Sequence, residues 1–215
     1  MNRLIKHRPG WETVVCVASG PSLNAEQLDH VRTAHARMQV RVIGVNSAYQ
    51  AAPWIDALFA CDLMWWKKHH ADVKKRAPGA ETVTQDASAH KQFALTTRVR
   101  GSARDGLGTL EIHTGSNGGH AAVNLAYLWG ARRILLLGYD MKLGPQGQRH
   151  WHADHPAPCI QAQHFGNWIH RFESTSRDLK KLGIEVLNCT PDSALPWFDR
   201  CSIQEALPLS TEATK

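Results

Sequence analysis

Apolar and polar residues alternate along this chain in blocks that predict strands separated by helices. Short, unbroken apolar runs are typical of strands buried on both faces of a parallel sheet. Stretches in which apolar residues return every three or four positions predict helices between them. The predicted strands are 13–18, 40–45, 54–60, 82–84, 133–138 and 184–187; the predicted helices follow residue 24, cover 64–76, run from 116 or 117 to 129, and cover 161–182.

Capping residues mark the helix ends. Asn24, with Gln27 three residues further on, has the spacing of a capping box. Ser116 or Asn117 caps the third helix, and Gly130 ends it.

Strands that alternate with helices predict an α/β fold with one doubly wound, Rossmann-like parallel sheet and right-handed crossovers. No repeat or linker divides the chain, so residues 1–202 are assigned to a single domain. A His-rich lid loop is expected at about 141–165, and a disordered tail at 203–215. The polar segment 86–112 predicts a loop with one short strand near 93–97.

Composition narrows the class of protein. No apolar run approaches the roughly 20 residues that cross a membrane, and no apolar segment follows the basic N-terminus as in a secretory signal. The cysteines are widely spaced and form no CxxC pair, so we expect free thiols in a reducing, cytoplasmic compartment. They are Cys16, Cys61, Cys159, Cys189 and Cys201.

The net charge of +6 favours an anionic partner such as a nucleotide, a phosphorylated sugar or an anionic glycan. The basic residues do not form one block, so solvated helix faces explain them at least as well as a nucleic-acid surface. Nucleic acid is therefore a minor alternative. The oligomeric state stays open, with a homo-oligomer among the alternatives.

Polar residues and glycines stand where the predicted strands end. They are Ser19, Gly20, Pro21 and Ser22 after the first strand, Asn46 after the second, Asp62 after the third and Asp140 after strand 133–138. Ser116, Asn117 and Gly118 open a helix. Ligands bind at the carboxyl ends of parallel strands, so we expect these groups to converge on a nucleotide. Glycines admit a phosphate, helix N-termini direct N–H groups at it, and aspartates can hold Mg²⁺.

Each of these features also has a purely structural interpretation. The Ser-Gly-Pro-Ser segment can be a plain turn, Asn46 and Asp140 can cap a strand or a turn, and Gly118 and Gly119 can serve close helix–strand packing. The chain has no Walker lysine and no GxGxxG motif, so neither a P-loop kinase nor a dinucleotide fingerprint is supported. The joint pattern, rather than any single member, favours a nucleotide site.

Several segments resemble a known family. Residues 17–23 (VASGPSL) are similar to the GxGPSL opening of the bacterial family 42 sialyltransferases and of the related DUF115 proteins, the motility accessory factors and archaeal pterin-pyrophosphokinase-like proteins. The resemblance spans roughly residues 13–195. Its further segments are 44–46 (GVN), 114–116 (TGS), 129–140 (WGARRILLLGYD) and 188–195 (NCTPDSAL).

This resemblance implies a transferase that takes a nucleotide-sugar donor, CMP-sialic acid in the sialyltransferases, and passes the sugar to a glycan or other hydroxyl acceptor. It implies that Ser19, Gly20 and Ser22 contact phosphate or ribose. It also implies that Asn46 binds the nucleotide and that Ser116 lies near the base or the sugar.

Some positions depart from the family pattern. The first loop position, usually Asn in the sialyltransferases, is Ser19, and the Asn expected after the third strand is Asp62. The tyrosines that steady the leaving phosphate are missing; Lys142 and Gln148 stand near those places, and Lys142 can supply the same charge neutralisation. A Mg²⁺-dependent, pyrophosphokinase-like transfer with Asp62 and Asp140 as metal ligands is therefore the second hypothesis.

The sialyltransferases take a histidine base from a mobile lid before the last helix. Counting back from Pro191 gives His164 as the counterpart, with His170 second, and His152 and His155 are further candidates in the same loop. A histidine near pH 7 can accept the proton of an acceptor hydroxyl. Plain surface exposure is the alternative for His164, and a non-catalytic nucleotide-binding protein is the corresponding alternative function.

Two further features carry minor hypotheses. His150, His152, Asp154 and His155 match the HxHxDH pattern of metallo-β-lactamase-fold hydrolases and are candidate metal ligands. That fold needs the motif early in the chain, whereas only about 60 residues follow it here, so a lid that binds acceptor or phosphate is favoured. The adjacent tryptophans at 65 and 66 can stack a sugar or a base.

Overall fold

A computed structural model describes residues 7–152 and 164–209. The strands are β1 Thr13–Val17, β2 Arg41–Val45, β3 Ala57–Phe59, β4 Glu81–Thr84, β5 Thr97–Arg98, β6 Gly101–Ser102, β7 Ile112–His113, β8 Arg133–Leu137, β9 Glu185–Asn188 and β10 Asp199–Arg200. The helices are α1 Ala25–Ala36, α2 Ala48–Ala51, α3 Leu63–Arg76, α4 Ala87–Phe93, α5 Gly118–Trp129, α6 Phe165–Lys181 and α7 Ile203–Ala206.

The main sheet has eight parallel strands in the order β10-β9-β8-β1-β2-β3-β4-β5. From β1 the chain winds outward to β5, then returns to pair β8 with the other side of β1 and winds outward to β10. The predicted α/β fold with a parallel sheet is confirmed, and its strand order is compatible with a Rossmann-like fold; residues 153–163 of the predicted His-rich lid lie outside the described residues. The winding direction reverses between β1 and β8, and the crevice at such a switch point is where ligands bind in open α/β sheets.

Both faces of this sheet are buried, which explains the unbroken apolar runs. Side chains alternate along a strand, so Val15 and Val17 of β1 join one core while Val14 and Cys16 join the other. The first core includes apolar residues of α1 and α3, and the second includes those of α5 and α6. Within the described ranges, no helix combines the length and apolar content that a membrane span requires.

The predicted caps are largely present. Asn24 accepts a hydrogen bond from the Gln27 backbone N–H, but the Gln27 side chain donates to the Cys189 carbonyl, at 3.2 Å, instead of completing a capping box. Asn117 caps α5 by accepting from the His120 N–H, and Gly130 ends α5 with φ of 107°.

Two segments differ from their predictions. The 86–112 segment, predicted to be mostly loop, contains α4 and three short strands, because Asp86 caps a helix too short to show an apolar period. The tail predicted to be disordered from 203 begins instead with α7, whose Ile203 and Ala206 are buried and whose Ser202 forms a capping box with Glu205. Residues 210–215 lie outside the described residues.

A buried histidine ties α5 to α6. The His120 Nδ1–H donates to the His113 carbonyl at 2.9 Å, and Nε2 accepts from the Thr175 hydroxyl at 2.6 Å. Both partners suit a neutral ring. Burial lowers the pKa of His120 from its ordinary 6.5 to about 4.

This pKa shift predicts acid destabilisation. Between pH 6.5 and about 4 the unfolded chain binds a proton at this position that the folded chain refuses. The free energy of unfolding should therefore fall by about 3 kcal/mol as the pH drops through that window. Urea unfolding across the pH range should show a shallower fall for His120→Gln. His170→Gln, which removes an exposed histidine from α6, should match the wild type; equal pH dependence in all three proteins would contradict the prediction.

Candidate functional site

A cavity of about 630 Å³ opens at the carboxyl ends of the central strands, at the switch point between β1 and β8. The structure brings most of the predicted site residues to its wall: Ser19, Gly20, Pro21, Asn46, Asp62, Ser116, Asn117, Gly118, Asp140, Lys142, His150 and His164. Ser22 and His152 do not line it. His155 and Asp154 lie outside the described residues.

The Ser-Gly-Pro-Ser segment follows β1 and forms hydrogen bonds with the residues just after β8. The Gly20 N–H donates to the Gly138 carbonyl at 2.9 Å. The Ser22 N–H and hydroxyl each donate to one oxygen of the Asp140 carboxylate, both at 3.0 Å. Pro21 has no N–H to offer. These donors therefore point at the segment that follows β8, and the phosphate contact predicted for Ser22 has no support in its hydrogen bonds.

Close packing explains why position 20 is a glycine. A Cβ there would lie 1.9 Å from Asp140 Oδ2 and 2.4 Å from the Gly138 carbonyl oxygen. Asp140 is only 5% exposed. Burial raises the pKa of its carboxyl, although the hydrogen bonds from Ser22 oppose that shift.

Three non-glycine residues of the cavity wall hold left-handed backbone conformations. They are Asn46, Ser116 and Met141, with φ of 50°, 55° and 52°. Such conformations cost free energy and persist where the surrounding structure fixes them, often at functional sites. Because three such residues line one cavity, backbone conformation as well as residue type makes this cavity the candidate site.

The first turn of α5 forms part of the wall. The N–H groups of Gly118 and Gly119 have no carbonyl partner within the helix, and the helix dipole favours an anion at this end. A Cβ at Gly118 would lie 2.7 Å from Val45, and one at Gly119 2.8 Å from Tyr139. The close-packing interpretation of these glycines is thus supported, and the same packing holds the start of the helix at the cavity.

One face of α6 supplies groups that the sequence analysis missed. Asn167, Trp168 and Arg171 line the cavity together with His164, and their spacing of three and four residues is the signal that identifies one helix face. Arg171 donates to the Ser116 hydroxyl at 3.2 Å and to the Ala103 carbonyl at 2.9 Å.

The cavity carries more cationic than anionic side chains. Lys142, Arg149 and Arg171 line it, against Asp62 and Asp140. The Lys142 ammonium lies 2.5 Å from the exposed carboxylate of Asp192, so the predicted charge neutraliser already has a partner. The Arg171 guanidinium likewise has a partner, the Asp105 carboxylate at 3.5 Å. The excess of cationic over anionic side chains in the wall suits a ligand with negative charge.

Asp62 lies at the start of α3, where desolvation and the nearby Asp86 carboxylate raise its pKa. The described residues contain no cluster of three or more His, Cys, Asp or Glu side chains arranged to hold a metal ion. Trp65 and Trp66 are both buried in the core, and neither belongs to the cavity wall, so the predicted stacking role is not supported for the cavity.

The predicted histidines occupy different environments. His164 is exposed where α6 begins and lines the cavity. The His150 ring lies 3.3 Å from the Ser19 carbonyl and stacks on His152 with centroids 5.0 Å apart. His170 is exposed beside Glu173 and does not line the cavity.

The structure is a doubly wound α/β protein with a cavity at its switch point, and more cationic than anionic side chains line that cavity. No protein-family model matches this chain, and no curated protein matches it. The resemblance to sialyltransferases and DUF115 proteins therefore stays a hypothesis carried by the motifs quoted above.

Replacing Gly20 with alanine should disrupt the junction of β1 and β8. The added Cβ overlaps backbone and a buried carboxylate, so we expect a loss of at least about 2 kcal/mol in the free energy of unfolding. Urea unfolding of Gly20→Ala measures it. Gly79→Ala is the matched control, since a Cβ there meets nothing within 4 Å. Equal stability of the two variants would refute the packing argument.

Proposed function

We propose that this protein is a transferase that binds a nucleotide-activated sugar, of the CMP type, in the switch-point cavity and passes the sugar to an acceptor hydroxyl. The observation that carries the proposal is the cavity itself. Its volume of about 630 Å³ suits a small-molecule ligand, and arginines, a lysine and a helix start surround it.

The phosphate of the donor is assigned to the side of the cavity formed by α5 and α6. There Gly118 and Gly119, whose N–H groups have no carbonyl partner within α5, share the cavity wall with Arg171. The Arg171 guanidinium donates to the Ser116 hydroxyl at 3.2 Å and lies 3.5 Å from the Asp105 carboxylate. A guanidinium and a helix N-terminus both favour phosphate. The loop after β1 was the phosphate site that the sequence predicted. We do not place the phosphate there because the N–H groups of Gly20 and Ser22 already donate hydrogen bonds to Gly138 and Asp140.

The chemistry breaks the bond between the sugar's anomeric carbon and the phosphate oxygen and forms one to the acceptor oxygen. His164 is proposed as the base that takes the acceptor's proton. Arg171, Arg149 and Lys142 would stabilise the charge that builds on the departing phosphate. Trp168 offers an aromatic surface to the base or sugar.

A thermal-shift screen with CMP, CDP, UDP, GDP and ATP, each with and without Mg²⁺, tests the proposal. A ligand at 100 times its Kd adds about 2.7 kcal/mol of stability, which corresponds to a rise of roughly 5–10 °C in Tm. We expect CMP to respond and the response to survive EDTA. A response confined to ATP with Mg²⁺, and lost in Asp62→Asn, would favour the pyrophosphokinase-like alternative; no response at all would reject the nucleotide site.

Arginine 171 should contribute directly to anion affinity. Arg171→Gln removes a charged donor from the wall, and the loss of such a hydrogen bond is worth about 1.5–3 kcal/mol, a weakening of roughly tenfold or more in Kd. Calorimetric titration with the nucleotide selected by the screen measures it. Arg177→Gln, which changes an exposed arginine on the same helix paired with Glu173, should leave Kd unchanged. Equal affinity in both variants would place the anion elsewhere.

The proposed base is tested by His164→Gln. Release of CMP from CMP-sialic acid in the presence of a glycan acceptor should fall roughly 10²–10⁴-fold in kcat, while Kd for CMP stays near the wild-type value. His170→Gln should retain activity because that side chain lies off the cavity. Unchanged kcat in His164→Gln would remove this base and favour a non-catalytic nucleotide-binding role.

A further inference from the structure

Two cysteines that do not line the cavity face each other near one edge of the sheet. Strands β9 and β10 are parallel, with Leu187 opposite Asp199 and Asn188 opposite Arg200. The next position on each chain segment is a cysteine, Cys189 and Cys201. Their sulfur atoms are 4.0 Å apart.

The backbone geometry at this pair suits a covalent link. Adjacent strands run about 4.8 Å apart, which falls within the Cα separations of roughly 4.4–6.8 Å that disulfides bridge. The sulfurs must approach from 4.0 Å to about 2.0 Å, a change of the size that side-chain rotation supplies. Cys189 is buried and Cys201 is half-buried, so a reagent reaches Cys201 first.

We propose that Cys189 and Cys201 form a reversible disulfide, with a low-molecular-weight disulfide as the oxidant. The Cys201 thiolate attacks the small disulfide and expels one thiolate. The Cys189 thiolate then attacks the Cys201 sulfur of the mixed disulfide and expels the second. Two protein thiols are oxidised, the reagent is reduced to two thiols, and those thiols take up the two protons.

This bond would close the loop that supports one wall of the cavity. Within residues 190–200, the Thr190 hydroxyl oxygen accepts from the Tyr139 N–H at 2.9 Å, and the Ser193 hydroxyl donates to the Tyr139 carbonyl at 2.6 Å. The Ala194 N–H donates to the Asp140 carbonyl at 2.8 Å. Oxidation would therefore restrict the loop that holds the chain segment leaving β8, whether or not the cavity binds a nucleotide.

The experiment equilibrates this 215-residue chain with mixtures of oxidised and reduced glutathione. We expect the mass to fall by two hydrogens, peptide mapping to join Cys189 to Cys201, and Tm to rise by roughly 5–10 °C. A dithiol reductant should reverse all three changes. Hydrogen exchange across 190–200 should slow on oxidation.

Single cysteine variants show which two cysteines form the crosslink. Cys189→Ser and Cys201→Ser should each abolish the crosslink and the Tm shift, whereas Cys159→Ser should retain both. A mixed disulfide that persists on Cys201, a crosslink that involves Cys159, or no loss of mass at any glutathione ratio would each overturn the proposal. The Tm of each reduced variant, compared with the reduced wild type, separates loss of the bond from loss of folding.

Discussion

The architecture of the site depends on one contact across the switch point, the pair of hydrogen bonds from Ser22 to the Asp140 carboxylate. A doubly wound sheet leaves a gap where its winding reverses, because the loops after β1 and β8 leave in opposite directions. The Ser22–Asp140 contact closes the base of that gap, and the glycine at position 20 lets the two segments approach closely enough for it to form. The carboxylate is buried, and its two hydrogen bonds from Ser22, together with the charge of Lys142, offset part of the desolvation that raises its pKa.

The walls of the cavity follow from that junction. Once β8 is fixed beside β1, Tyr139 packs on Gly119 and sets the depth at which α5 begins. His120 and Thr175 then join α5 to α6 through a neutral imidazole, which orients the α6 face that carries Arg171. The Arg171 side chain and the first turn of α5 thus both line the cavity. A Cβ would lie 2.7 Å from Val45 at Gly118 and 2.8 Å from Tyr139 at Gly119, so these glycines let α5 begin close to its neighbours.

More of the fold than of the candidate site could be predicted from the sequence. Uninterrupted apolar strands such as β1 and β8 predict a parallel sheet because both faces are buried, and that inference needs no distant partner. Asn24 and Asn117 likewise marked helix starts from local chemistry. The hydrogen bonds between Ser22 and Asp140 could not be predicted from the sequence, because 118 positions separate the two residues. Both side chains would also suit contact with a ligand. Arg171 was missed for a different reason: its helical spacing from His164 was present, but the facing cavity is visible only in three dimensions. The prediction of a loop for segment 86–112 was wrong, because short helices and two-residue strands leave no periodic pattern of apolar residues.

The loop after β1 donates its hydrogen bonds to the segment after β8, and this limits what the Ser-Gly-Pro-Ser motif can say about a ligand. A Gly-Pro-Ser segment whose donors are used by Gly138 and Asp140 is required by the junction, whatever the ligand is. These contacts account for the residues at positions 20 and 22 through the junction alone, so the similarity of this loop to the sialyltransferase opening does not by itself identify a ligand. Arg171, Trp168 and His164 line the cavity and take no part in that junction, so the proposed ligand specificity would depend on residues such as these. They belong to α6 and to the residue that precedes it, and we expect their replacement to leave the junction after β1 and β8 intact. The proposed binding can therefore be tested separately from the fold that creates the cavity.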